Sequence, residues 1–275
     1  MTLFAAVQMA SGPQLAANLI TAEKLIQKAA AVGAKLVVLP ENFAIMGLNE
    51  EDKLRHREQP GQGPLQEFLA EQARRHGVWL CGGTIPIQSP DDDRVYATSL
   101  LFDHAGKEVA RYDKIHLFDV QLIGSDERYN ESSTIYPGDQ IKVVDSPFGR
   151  IGLAVCYDLR FPELFRRLTA EGAEIILLPA AFTEPTGRAH WEILLRARAI
   201  ENLCYIVAAA QGGYHVNGRS TYGHSMVVDP WGGVVAISRT NTPGIVTGEI
   251  KTDFLQSTRK SFPALQHRRL MEELL

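Results

Sequence analysis

Ile151-Gly152-Leu153-Ala154-Val155-Cys156-Tyr157-Asp158-Leu159-Arg160-Phe161-Pro162-Glu163 is the stretch that decides how this chain folds. Five apolar or small residues make a short buried strand, Cys156 closes it, and Pro162 opens a helix over 162–170. Proline suits that place, because an N–H in the first helical turn has no internal acceptor and its loss costs nothing there. Gly172 stands just past the far end, where a helix commonly stops. A strand that turns sharply into a helix is a unit of a layered α/β fold. The turn leaves the cysteine at the carboxyl end of its strand, with the polar pair Asp158 and Arg160 behind it.

The same alternation extends outward. Downstream, 175–178 reads as a strand closed by Pro179, 189–202 as a helix, and 203–210, 222–228 and 234–238 as further strands. Upstream, 3–9 reads as a strand. Over 15–31 the apolar positions Leu15, Leu19, Ala22, Ile26 and Ala29 are spaced four, three, four and three, which is one face of an amphipathic helix. Residues 35–39 form an apolar run ended by Pro40, and 64–75 have helical spacing. Residues 78–84 and 94–102 read as strands, and Asp103-His104-Ala105-Gly106-Lys107 as the turn of a hairpin. Helices alternate with strands at both ends around a β-rich middle, with no Ser/Gly linker or low-complexity tract. An α/β layered fold with a single core over 1–275 is the expectation.

Composition narrows the function. In 275 residues, Lys plus Arg number 28 and Asp plus Glu 32, a formal charge of −4, with no basic excess for a nucleic-acid partner. Hydrophobic residues make up 45%, enough for a sizeable core. The apolar start Leu3–Met9 has no Lys or Arg before it, so it reads as a first strand rather than a signal peptide. No apolar run is long enough to span a membrane, and a cytoplasmic protein is expected. The three cysteines, Cys81, Cys156 and Cys204, lack CxxC spacing, which excludes a disulfide framework and a cysteine zinc knuckle. Cys81 and Cys204 lie inside strand-like runs and read as packed thiols.

Three segments share one design, a strand-like run that delivers a reactive side chain at its end. Residues 36–40 lead to Glu41, 108–112 to Lys114, and 151–155 to Cys156. Ligands of open α/β sheets bind beyond the carboxyl ends of strands, so residues far apart in sequence can meet there. Taken alone, Glu41 and Lys114 read as solvated strand-end charges. Cys156 on its sharp turn follows the logic of a nucleophile elbow, where the turn exposes the side chain and offers main-chain N–H groups to an oxyanion.

Leu39-Pro40-Glu41, Asp113-Lys114-Ile115-His116-Leu117-Phe118-Asp119 and Gly152–Leu164 around Cys156-Tyr157-Asp158-Leu159-Arg160-Phe161-Pro162-Glu163 occur in this order, and with them the chain resembles the nitrilase, or carbon–nitrogen hydrolase, superfamily from end to end. The resemblance implies a four-layer αββα sandwich and a Glu-Lys-Cys triad of Glu41, Lys114 and Cys156. It also implies a second active-site glutamate, for which Glu131 in Arg128-Tyr129-Asn130-Glu131 fits. In these roles Glu41 moves the proton, Cys156 attacks an amide carbonyl, Lys114 and the Tyr157 N–H meet the oxyanion, and Glu131 orients Lys114 or the base. No metal and no cofactor is implied; His116, His190 and His224 lack zinc-motif spacing.

The run His190-Trp191-Glu192 to Asn202 is similar to the amidase branch that holds the omega-amidases and the deaminated-glutathione amidases. Ala208-Ala209-Ala210-Gln211, Tyr222-Gly223-His224 to Gly232, and Leu265-Gln266-His267-Arg268-Arg269 favour the latter. That branch implies a small-molecule amide bearing a 2-oxo acid end, whose carboxylate needs a cation; Arg160 and Arg188 are the candidates. An omega-amidase acting on 2-oxoglutaramate or 2-oxosuccinamate, and a silent scaffold or sensor of the same fold, are the alternatives. A homodimer or larger assembly is expected, with 255–275 as a C-terminal extension at its interface. The 121–130 loop, with Asp126 and Glu127 beside Arg128, is expected to shape the pocket.

Overall fold

The computed structural model describes residues 1–122 and 127–269. Two sheets lie face to face, each with helices on its outer face, which is the expected αββα sandwich. In the first sheet Thr2–Gln8, Leu36–Val38 and Trp79–Cys81 run parallel. Antiparallel strands flank them, Gly244–Ile250 on one side and Val95–Phe102 on the other. The latter also pairs with Ile85–Gln88 and Glu108–Asp113. In the second sheet Ile151–Leu153, Ile175–Ala180 and Tyr205–Ala210 run parallel. Val143–Val144 borders them on one edge, and Met226–Val228 with Val234–Ile237 on the other.

The period-two alternation of a strand explains the layering. Phe4, Ala6, Leu36, Val38, Trp79 and Cys81 point into the space between the sheets, where they join Ile151, Leu153 and Ile175 in one core. Their neighbours Ala5, Val7, Val37 and Leu80 point the other way, against two helices. These are α1 (Leu15–Ala31), through Ala22, Ile26 and Ala29, and α2 (Pro64–His76), through Leu65, Leu69 and Ala73. On the far side α3 (Pro162–Ala170) contributes Leu164, Phe165 and Leu168, and α4 (Glu184–Asn202) contributes Trp191, Leu195 and Ala199. Strands covered on both faces have no polar side, so they read as continuous apolar runs.

Main-chain bonds join the sheets at one end. Gly212 N–H donates to Met9 O at 2.7 Å, and Met9 N–H to Ala210 O at 3.4 Å. At this same end the parallel strands of both sheets, and Glu108–Asp113, finish. Their carboxyl ends therefore open onto a shared space.

Several elements differ from the sequence reading. Helix α4 starts at Glu184, five residues before the expected position, with Pro185 in its first turn. The expected strand 222–228 is two elements: Ser220–Tyr222 pairs with Gly212–Tyr214 in a separate hairpin, and only Met226–Val228 joins the sheet. Gly223 and His224, both at positive φ (69° and 56°), break it. Gly244–Ile250 and α5 (Thr252–Ser261) had no strong sequence signal. Helix α5 buries Leu255 and Thr258; residues 270–275 of the expected extension lie outside the described residues. The 121–130 segment is largely a hairpin, Asp119–Gln121 against Arg128–Asn130. Residues 123–126, with Asp126, also lie outside the described residues.

Gly83 ties the fold to the shared space. Its φ is 56°, and a Cβ there would stand 2.1 Å from Pro40 O. That carbonyl immediately precedes Glu41, so nothing flexible can yield. Gly83→Ala is expected to destabilise the protein by about 2–4 kcal/mol and to lower the melting temperature by roughly 5–15 °C, read by calorimetry.

Candidate active site

Each segment delivers its residue through local main-chain geometry. Beyond Leu36–Val38, Leu39 N–H donates to Cys81 O at 2.9 Å, so the chain is still held by its neighbour when it reaches Pro40 and Glu41. Asn42 then turns through φ 55°, and its N–H is held by Thr84 Oγ1 at 2.9 Å. Gln211, from the second sheet, donates through Nε2 to Glu41 O at 3.0 Å. Lys114 is fixed by its own N–H to Ala97 O (3.0 Å) and by Gly138 N–H to its carbonyl (2.9 Å).

Cys156 has φ 47°, a left-handed conformation that costs a non-glycine residue energy and must be held by its surroundings. Asp158 does the holding. Its fully buried carboxylate accepts from Val155 N–H and Tyr112 Oη, both at 2.7 Å, and from His116 N–H at 3.2 Å. His116 Nδ1 lies 2.6 Å from the same carboxylate, and the His116 ring stacks on Phe161 at 3.7 Å. The Cys156 turn is thereby locked to the strand that leads to Lys114.

The structure brings Glu41, Lys114, Glu131 and Cys156 to one pocket of about 680 Å³, including space open to solvent. Lys114 Nζ donates to Glu41 Oε1 at 2.7 Å and to both Glu131 oxygens at 2.8 and 2.9 Å. Glu131 also accepts from Phe118 N–H at 2.7 Å. Burial alone would lower the pKa of Lys114, but Glu131 and Glu41 outweigh it and hold the ammonium well above the usual lysine value. Burial pushes the Cys156 thiol well above its usual value, and the adjacent Glu41 carboxylate pushes the same way. Lys114 and the main chain at Ala181 only partly counter this. The resting site therefore holds a neutral thiol, a hydrogen-bond acceptor beside it, and a permanent cation. Cys81 and Cys204 are pushed by burial to about 11 and about 12 and take no part in the pocket.

Tyr157 and Arg160 line the pocket as well. The Arg160 guanidinium lies over the Phe182 ring (5.3 Å) and the Tyr157 ring (5.9 Å), with His190 Nδ1 at 3.3 Å. Arg188 is not there. Its side chain is 75% exposed and pairs with Glu184 Oε1 at 2.8 Å, one helical turn away. The sequence reading began this helix after Glu184 and so missed the ordinary partner of Arg188. The structure also adds Arg219, Lys53 and Glu50 to the lining. Lys53 and Glu50 are neighbours three residues apart, but what brings Arg219 to them is a contact 169 residues distant, which no local pattern marks. Burial would raise the Glu50 carboxyl, but Lys53 and Arg219 bring it down to about 2. Among the described residues no group of three or more His, Cys, Asp and Glu is placed to hold a metal ion. His116 and His224 instead bond to Asp158 and to the Tyr222 carbonyl.

A fold of two sheets between helices, with glutamate, lysine and cysteine converging at strand ends, defines a class, and comparison with known proteins agrees. The carbon–nitrogen hydrolase family model matches residues 3–260, and the chain belongs to that family. Its similarity to one kind of member is high. The deaminated glutathione amidase of Yersinia enterocolitica is 47% identical over 272 residues, covering 98% of this chain and 94% of that protein. Saccharomyces cerevisiae Nit3, a member of branch 10 of the nitrilase superfamily, superposes with a TM-score of 0.87 at 32% identity, covering 98% of this chain and 97% of Nit3. The C. elegans NitFhit protein superposes with a TM-score of 0.89 at 40% identity over 98% of this chain. This chain spans only 65% of the NitFhit polypeptide.

The electrostatics give a test with an unusual sign. Removing the Glu41 charge relieves one of the two forces that hold the Cys156 thiol neutral. Glu41→Gln is expected to move the thiol titration to lower pH, measured by alkylation of the Cys156 peptide across pH 6–10. Turnover should nevertheless fall by about 10²–10⁴-fold, the usual contribution of a general base. A titration that stays in place or moves upward contradicts the arrangement.

Proposed function

We propose that this protein hydrolyses deaminated glutathione through a thioester on Cys156. The observation that carries the reading is the buried Glu41–Lys114–Glu131 cluster around a neutral thiol. As Cys156 Sγ attacks the amide carbonyl, Glu41 accepts the thiol proton, so a sulfur–carbon bond forms without a free thiolate at rest. The carbonyl oxygen takes up negative charge against the Lys114 ammonium and the Tyr157 N–H; one such donor is typically worth ~10²–10³ in rate. Glu41 then returns its proton to the departing nitrogen. The carbon–nitrogen bond breaks and cysteinylglycine leaves. Glu41 next takes a proton from water, the hydroxide attacks the thioester, and the proton returns to the sulfur. Glu131 keeps Lys114 in place throughout. Arg160, beside the nucleophile turn and in the pocket, receives the carboxylate of the 2-oxo acid end.

The substrate follows from the high identity to deaminated glutathione amidases over nearly the whole chain. A small-molecule amide, with no cofactor, also suits the confined, largely preformed pocket. Three free buried cysteines fit a reducing compartment, the cytoplasm, and a role in metabolite repair. A homodimer with the C-terminal segment at its contact is supported by Trp231 and Phe262, which meet edge-on at 5.5 Å and are 60% and 52% exposed.

Intact-mass measurement of quenched reactions tests the reading. Wild-type protein is expected to show a transient acyl adduct and to release the dipeptide; Cys156→Ala should show neither. Faster release of ammonia from 2-oxoglutaramate would instead make the protein an omega-amidase. Absence of any adduct with either substrate would mark a silent scaffold.

A further inference from the structure

The proposed chemistry uses one end of the pocket, and a second positively charged point lies elsewhere in its wall. We propose that Arg219, assisted by Lys53, recognises a carboxylate on the leaving-group side of the scissile amide. The enzyme would then select amides that are anionic at both ends. The inference deepens the amidase reading and rests on it.

Arg219 and Lys53 share a single carboxylate, Glu50. Lys53 Nζ donates to Glu50 Oε2 at 2.7 Å, and Arg219 Nη2 donates to Glu50 Oε1. Two cations thus meet one carboxylate, and all three groups line the reaction pocket. A lone structural ion pair would need only one of these cations. The Glu127 carboxylate nearby accepts the Tyr129 hydroxyl at 2.7 Å. The Arg219 guanidinium lies 4.8 Å over the Tyr129 ring, which fixes its plane. A fixed guanidinium fork matches a carboxylate better than a mobile ammonium does.

The segment that carries Arg219 is pre-organised. It joins the strands Gly212–Tyr214 and Ser220–Tyr222. Buried His215 secures it, with Nδ1 at 2.8 Å from Ser11 O and Nε2 at 2.7 Å from Thr221 Oγ1. Asn217 Nδ2 donates to Gly47 O at 2.8 Å, and Arg219 N–H donates to Asn217 Oδ1 at 3.1 Å. An anchored cation loses little freedom when it binds.

Position assigns the end. Arg160 belongs to the turn that presents Cys156. Arg219 lines both the reaction pocket and an adjoining open cleft bordered by Gly47, Glu50 and Asn217. With Arg160 assigned to the 2-oxo acid end, Arg219 at the junction with that cleft is the cation available to a carboxylate on the departing amine. Cysteinylglycine ends in such a carboxylate.

Two substrates with the same 2-oxo acyl group test this. One leaves as cysteinylglycine with its free carboxylate, the other as the C-terminal carboxamide. Wild-type enzyme is expected to prefer the carboxylate by about 10- to 100-fold in kcat/KM, mostly through KM, as for a charge-assisted hydrogen bond. Arg219→Gln should bring that ratio close to one, Arg219→Lys should keep part of it, and Lys53→Met, on a different segment, should reduce it by a smaller factor. A purely structural Arg219 would slow both substrates alike and leave the ratio unchanged, which overturns the proposal. So would equal wild-type rates on the two substrates. Failure of the wild type to cleave either peptide would overturn the deaminated-glutathione reading itself, an outcome distinct from equal cleavage of both.

Discussion

One ammonium group organises this molecule. Lys114 is buried to within 1% of full enclosure, with carboxylates at 2.7 and 2.8 Å. A buried charge without partners is costly enough that the group would sooner lose its proton. Two carboxylates reverse that tendency and keep the cation permanent. The arrangement tolerates little displacement, because removing one partner of a buried pair costs about 3–5 kcal/mol. Glu41, Lys114 and Glu131 come from three segments, so those segments must end at one place. The four-layer architecture satisfies this by finishing strands of both sheets at a single edge, with Gln211 of the second sheet bound to the Glu41 carbonyl.

Cys156 is held by a separate device of the same kind. A left-handed cysteine is strained, and a buried Asp158 compensates by bonding to Val155, Tyr112 and His116. Tyr112 and His116 flank Lys114 in sequence, so the two devices share one strand end. Thiol and ammonium are therefore positioned relative to each other by main chain and buried bonds. Charge sets the state of the thiol: burial and the neighbouring Glu41 carboxylate both hold it neutral.

Much of this was readable from local patterns. The spacing of Leu15, Leu19, Ala22, Ile26 and Ala29 gave helix α1 its 15–31 bounds, because only a helix repeats with that period. The runs before Glu41, Lys114 and Cys156 showed strand ends. Prolines marked where the Leu36–Val38 run stops and where α3 begins. The reading failed where the cause was distant or the pattern short. Gly244–Ile250 is a strand because Thr2–Gln8 lies beside it, and nothing within its own sequence requires that. The helix expected over 189–202 begins at Glu184, and its first turns contain Pro185 and Gly187. In the structure Gly187 is needed for close approach, since a Cβ there would stand 2.3 Å from Tyr222.

The two arginine assignments show the division most plainly. By itself the sequence determined the layered α/β fold, the strand-end placement of Glu41, Lys114 and Cys156, and through their motifs the family. These depend on periodicity, on proline and glycine, and on residue types at fixed spacing, all of which are local. Only the tertiary structure decided which cations face the pocket. Arg188 is occupied by Glu184 four residues away and points to solvent, whereas Arg219 reaches the pocket through Glu50, 169 residues distant. Charge pairing acts through space, and the partner that commits an arginine to a site is chosen when the sheets close on each other.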